Sequence, residues 1–328
     1  MRSLRFAVLS PLLLAVVLFG CDTTATPPES EVAVEAYLQA QAPLPTIQLT
    51  RTVGATETFA PREQAVRSED AGGIVKEIRV QRMGDDGNAV ETTAYGETDT
   101  AGIYAPEPTS PPIVEPEATY RLEVETTEGT TVRSTTTVPD TLSLLTVENT
   151  REVANSAVDT AAFQNEAQKP ELTITTQPDS RLDRQSVYLF TVTARPSGED
   201  LVEEDLTPFY CDTYDADEDS LESFRVSSSG LLNEANFERN EDNTLTVDLP
   251  WIGVAFFGPN EVAINVVDDN YYDFLRSTSA QETAPPGEYP NIIDHVENGT
   301  GIFGSYAQAT VTIEFTRGGR YEGYRCEP

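Results

Sequence analysis

Asp215, Asp217 and Asp219 occupy alternate positions in a run that also holds Asp212 and Glu218. That spacing lets one looping backbone present several carboxylate oxygens to a hard cation such as Ca²⁺. The run departs from an EF-hand loop, with Ser220 where the sharp turn needs glycine and Val226 where a bidentate glutamate should stand. Two readings stay open, a solvated acidic loop and a Ca²⁺ site on the three aspartates. Asp268-Asp269-Asn270 is a second acidic group, with a helix cap as its simplest role. His295 is the one histidine, which excludes zinc sites built on several histidines. It lies in a segment that reads as a loop, and no Gly-x-Ser-x-Gly elbow accompanies it. Carboxylate pairs for glycoside hydrolysis cannot be picked out, because sequence spacing does not set their separation. Trp251, Tyr271 and Tyr272 could stack on sugar rings, but at strand or helix spacing such residues are more often core. No catalytic residue and no cofactor is predicted, so a non-enzymatic protein is expected.

The cysteines point to export. Met1-Arg-Ser-Leu-Arg5 is a short positive segment, Phe6 to Phe19 is apolar apart from Ser10 and Pro11, and Leu18-Phe19-Gly20-Cys21 follows. The apolar run is short for a membrane span and suits a signal peptide over residues 1–20. Leu18-Phe19-Gly20-Cys21 resembles a lipobox, with Phe19 bulkier than usual at its position. Lipidation of the Cys21 sulfur with diacylglycerol is the expectation. Several acyl chains at roughly 0.8 kcal/mol per buried CH₂ would anchor the protein durably without a spanning helix. Residues 21–30 continue as a polar, proline-bearing tether. Cys211 and Cys326 then remain, an even number in an oxidising compartment, and either a disulfide or two buried thiols is open.

The net charge is −34. Removing residues 1–20 takes away Arg2 and Arg5 and leaves 19 basic groups against 55 acidic ones, a net of −36. Such a chain repels nucleic acid, so no nucleic-acid partner is expected. Dispersed acids and only two lysines, Lys76 and Lys169, suit a salty medium that screens self-repulsion.

The elements that must position these residues read mostly as strands. Val32 to Leu38, Thr46 to Thr50, Ile74 to Val80, Thr119 to Val124 and Thr131 to Val138 are short apolar or alternating runs. Asp85-Asp-Gly-Asn between two runs reads as a hairpin turn. About seven short strands within about 110 residues predict an immunoglobulin-like β-sandwich over 31–139. Pro139-Asp140 marks the expected boundary, with a second β-rich domain over 140–328. Its strand candidates are Leu172 to Gln177, Ser186 to Arg195, Thr244 to Leu249, Val262 to Val267 and Ala309 to Phe315. Tyr271, Phe274 and Leu275 have helical spacing behind Asp268-Asp-Asn, and residues 196–243 read as long acidic surface loops. The class is all-β with one or two short helices.

Val34-Glu-Ala-Tyr-Leu, Ile47-Gln-Leu-Thr-Arg-Thr, Thr119-Tyr-Arg-Leu-Glu-Val leading to Val138-Pro139, and Asn298-Gly-Thr-Gly-Ile-Phe-Gly-Ser-Tyr appear in that order. The arrangement resembles the Bacteroidota lipoprotein family catalogued as domain of unknown function 4249, over nearly the whole chain beyond residue 20. The Gly-Ile-Phe-Gly-Ser-Tyr segment is its most specific piece. By themselves, Gly299, Gly301 and Gly304 read as tight backbone turns beside packed aromatics. The resemblance implies a signal, a lipid-bearing cysteine, a β-rich ectodomain, and partnership with a TonB-dependent outer-membrane receptor. It supplies no catalytic residue. Two rivals remain, a stand-alone carbohydrate- or peptide-capture lipoprotein and a hydrolase of unrecognised type.

Overall fold

In the strand Val32–Gln39 (β1), Val32, Val34, Ala36 and Leu38 are buried and the residues between them are not. This is the period of a strand with one face on a core. Ile47–Arg51 (β2), Val75–Met83 (β3), Ala89–Glu97 (β4), Ile103–Pro106 (β5), Thr119–Thr126 (β6) and Thr131–Thr137 (β7) follow. Strand β6 turns Tyr120, Leu122 and Val124 inward. The structure, a computed structural model, describes residues 31–53, 64–152, 158–176, 186–196, 200–215, 220–285 and 290–327. Asp85-Asp-Gly-Asn turns β3 into β4, with Gly87 at a φ of 76° and Asp86 accepting from the Asn88 backbone at 3.0 Å. The strands pair in the order β1-β2-β5-β4-β3-β6-β7 and enclose one core.

The second half contributes Leu144–Glu148 (β8), Arg151–Glu152 (β9), Asp159–Ala162 (β10), Glu171–Thr175 (β11), Val187–Ala194 (β12), the helix Pro208–Cys211 (α1), and Val226–Asn233 (β13). Glu238–Arg239 (β14), Thr244–Asp248 (β15), Gly258–Val267 (β16), the helix Asp269–Glu282 (α2), Val296–Glu297 (β17) and Thr300–Thr316 (β18) complete it. A sheet ordered β14-β15-β11-β8 packs on β12, β16 and β18. Leu172, Ile174, Leu245 and Val247 meet Phe190, Ile264 and Phe315 between the layers. The all-β class therefore holds, with two α-helices among the described residues.

Strand β18 joins the halves. Residues 300–306 pair in parallel with β1, 306–315 pair antiparallel with β16, and 313–316 pair in parallel with β10. Strand β17 pairs with β7, and Val296 and Phe303 lie in the first core. The chain thus returns, long after Pro139-Asp140, to complete the first sandwich. Two expectations change here. Gly301 and Gly304 are strand residues of β18, not turns, whereas Gly299 lies in the turn between β17 and β18. Gly301 has a φ of 102°, and a Cβ there would lie 2.1 Å from the Val34 carbonyl oxygen, so only glycine lets β18 approach β1. Within 196–243, expected as loops, β13 forms an outer strand of the large sheet. Its Ser227-Ser-Ser-Gly230 stretch lacks an apolar alternation, which hid it.

Glu97, at the end of β4, fastens the loop before β3. It accepts hydrogen bonds from Arg67 Nε at 3.2 Å, Ser68 N at 3.1 Å, Ser68 Oγ at 2.8 Å and Gly102 N at 3.1 Å. Burial pushes its carboxyl up, but these donors outweigh burial and hold it below the usual range. Its contribution is present above the ordinary glutamate value near 4.3 and is lost as pH falls through the lower folded value. Glu97→Gln should cost about 1–2 kcal/mol at neutral pH. Urea unfolding should show that gap narrowing below about pH 4.

Candidate functional site

The family segment on β18 sits beside a buried polar joint. Asp268 follows β16 and caps α2, its Oδ1 accepting from Tyr271 N and Ser305 N at 3.0 Å each. The Thr136 hydroxyl donates to Oδ2 at 2.5 Å and lies 2.7 Å from Ser305 Oγ. Asn270 Nδ2 donates to the Thr135 and Phe303 carbonyl oxygens at 2.8 and 2.9 Å. One capping group, legible as such in the sequence, therefore fastens α2, β7 and β18. Burial pushes the Asp268 carboxyl above its ordinary value, and the donors only partly offset this.

The same joint absorbs Tyr271 and Tyr272, two of the aromatic residues considered for sugar stacking, and the second core takes Trp251. Tyr271 lies over Gly304, where a Cβ would come within 3.1 Å of the Tyr271 Cβ. Its ring is 4.9 Å from that of Tyr37 and 6.4 Å from that of Tyr306. Burial, with Tyr306 and Glu35 nearby, pushes its hydroxyl up to about 12. Tyr272 packs in the same group, and Trp251 stands edge-on to Phe163 at 5.4 Å. These side chains pack rather than forming an open platform.

A polar row missed by the sequence reading runs beside Tyr306. Its hydroxyl donates to Gln39 at 3.2 Å, Gln39 donates to Gln308 at 3.3 Å, and Gln308 donates to Asn265 at 2.9 Å. Asn265 donates onward to the Leu189 carbonyl at 3.0 Å. The row crosses β1, β18, β16 and β12. No local pattern could reveal it, because its members come from distant parts of the chain.

His295 Nε2 lies 3.0 Å from Asp273 Oδ2, and Arg276 reaches the same carboxylate at 3.2 Å. The nearby Ser134 hydroxyl donates to the His295 carbonyl oxygen at 2.7 Å, not to the ring. These three residues therefore do not form a nucleophile–base–acid chain. Cys211 and Cys326 are joined in a disulfide with their Cα atoms 5.6 Å apart. Of the acidic run, Asp215 is described, while Asp217, Asp219 and the expected lipid-bearing Cys21 lie outside the described residues. Among the described residues, no three His, Cys, Asp or Glu side chains are grouped to hold a metal. No described helix is long and apolar enough to cross a membrane.

Residues 19–312 match the family described as "Domain of unknown function (DUF4249)". The chain belongs to this family. The DUF4249 match starts before Cys21 and runs into β18, so it takes in the whole joint around Asp268. No curated protein matches the chain in sequence. Among solved structures, a tetra-tandem repeat from the extending region of a large adhesion protein is 12% identical, with a TM-score of 0.20, over 87% of this chain and 49% of that one. Salmonella alpha-2-macroglobulin reacted with methylamine is 8% identical, with a TM-score of 0.22, over 89% and 15%. Pullulanase from Anoxybacillus sp. LM18-11 is 11% identical, with a TM-score of 0.18, over 80% and 28%. The chain spans about half of the first protein and a smaller share of the others. These likenesses are too slight to carry function.

Proposed function

We propose that this DUF4249 protein is a non-enzymatic lipoprotein of the cell envelope, held at the outer membrane by Cys21 as an accessory to a TonB-dependent receptor. The observation that carries the reading is the order of elements at the start of the chain. An apolar segment ends in Leu18-Phe19-Gly20-Cys21, a polar tether follows, and β1 begins at Val32. At 3.3–3.6 Å per residue, the covalent reach from Cys21 to β1 is at most about 40 Å. Anchoring confines the β ectodomain to a thin layer and raises its effective concentration against a membrane neighbour. Strong negative charge keeps the ectodomain off anionic headgroups, leaving its faces open to a protein partner.

Cys21→Ser should move the protein from the membrane fraction to the soluble fraction. Mass spectrometry of the native form should find a chain that starts at Cys21 and carries acyl groups. A β-barrel receptor should co-purify with the tagged native form and be lost with the variant. A mature chain that starts elsewhere, or bears no lipid, would replace this reading with a soluble exported protein.

A further inference from the structure

The register of three strands places opposite charges in one cleft. Arg151 of β9 faces Thr160 of β10, and Thr160 faces Glu314 of β18. Arg151, Thr160 and Glu314 line a cleft of about 620 Å³ together with Thr316, Asn165 and Gln168. That volume falls in the range of small-ligand sites. Among the described residues, neither Arg151 nor Glu314 forms an ion pair, with each other or with a third group.

The remaining polar groups are half used, in a regular way. Asn165 Oδ1 accepts from Ala167 N, and Gln168 Oε1 accepts from Ala162 N, each at 3.1 Å. What these amides have left to offer is N–H. Thr160 donates its hydroxyl proton to the Arg151 carbonyl at 3.2 Å, and Thr316 donates to the Ala161 carbonyl at 3.5 Å. What these hydroxyls have left is acceptor oxygen. The lining thus presents both donors and acceptors between a cation and an anion. Two strand spacings separate Arg151 from Glu314, about 10 Å between Cα atoms. A chain of two or three residues spans about 7–11 Å.

We infer that this cleft binds a short zwitterionic peptide, its terminal carboxylate on Arg151 and its terminal ammonium toward Glu314, with its amides on the Asn165, Gln168, Thr160 and Thr316 groups. A guanidinium suits a carboxylate because it donates two parallel hydrogen bonds. The site goes beyond the proposed anchoring and does not depend on it.

Calorimetry of the full chain in detergent tests it, with trialanine, N-acetyl-trialanine, trialanine amide and glucuronic acid as probes. Trialanine should bind with a Kd of about 1 mM or below, and blocking either end should weaken binding about tenfold. Arg151→Ala should weaken trialanine and leave free and amidated peptide equal. Glu314→Gln should leave free and N-acetylated peptide equal. Both residues are surface groups, and an unchanged melting temperature would show that the variants are folded. The inference is overturned by no saturable heat at roughly ten times that Kd. It is equally overturned by binding indifferent to both substitutions, or by glucuronic acid binding as well as the free peptide.

Discussion

Replacing both Cys211 and Cys326 with serine should lower the stability of the folded chain by about 4–5 kcal/mol. The bond closes a loop of 115 residues in sequence, and a cross-link so far apart mainly restricts the unfolded chain. The folded tail should stay docked without it. Arg317 pairs with Asp205, Arg325 pairs with Glu204, and Arg317 lies 4.6 Å over the Phe257 ring. Tyr321 packs edge-on to Phe163 at 5.6 Å and its hydroxyl donates to Gln164 at 2.6 Å. Both cysteines are buried among Leu206, Ala255 and Phe256. The double variant should therefore fold and show a lower urea midpoint. Reduction of the wild type should reproduce the shift. A loss below about 1 kcal/mol, far under the loop-entropy expectation, would mean that the unfolded chain is already confined by other means.

Asp268→Ala should cost nearly as much, about 3–5 kcal/mol. A lost helix cap accounts for roughly 1 kcal/mol, and each buried donor left without a partner adds about 1–3 kcal/mol. The Ser305 N–H and the Thr136 hydroxyl are both at risk, and both residues are almost fully buried. The effect has a pH signature. Burial raises the folded-state carboxyl above its ordinary value, near 3.9 for aspartate, so the folded chain holds that proton to higher pH than the unfolded chain does. This contribution is fully present below about pH 3.9 and is lost as pH rises through the raised value. Asp268→Asn keeps the shape and removes the titration. As pH rises above about 4, the wild type should therefore lose ground to Asp268→Asn in urea midpoint. Parallel midpoints across that range would place the proton elsewhere.

Wherever one side of a segment is buried and the other is not, periodicity survives in the chain and is readable. That is why β1, β6, β12 and the helix behind Asp268 were legible, as was the β3–β4 turn. Strand β13 was not, because serines and a glycine at a sheet edge carry no such imprint. The acidic run shows the opposite limit: alternate aspartates state only that oxygens are available, and their geometry is a tertiary matter.

Chemistry confined to neighbouring residues was likewise set by sequence: the apolar run that ends in Leu18-Phe19-Gly20-Cys21, the capping role of Asp268, and the large negative charge. The family segment could be recognised in the chain, yet its work could not. Gly301, Gly304 and Ser305 are explained only once β18 is seen bridging β1 and β16 under α2. Arg151, Thr160 and Glu314 became one cleft, and Gln39, Asn265 and Gln308 one row, through strand register. Register is decided by which hydrophobic faces find each other across hundreds of residues, and a one-residue slip would scatter every such group.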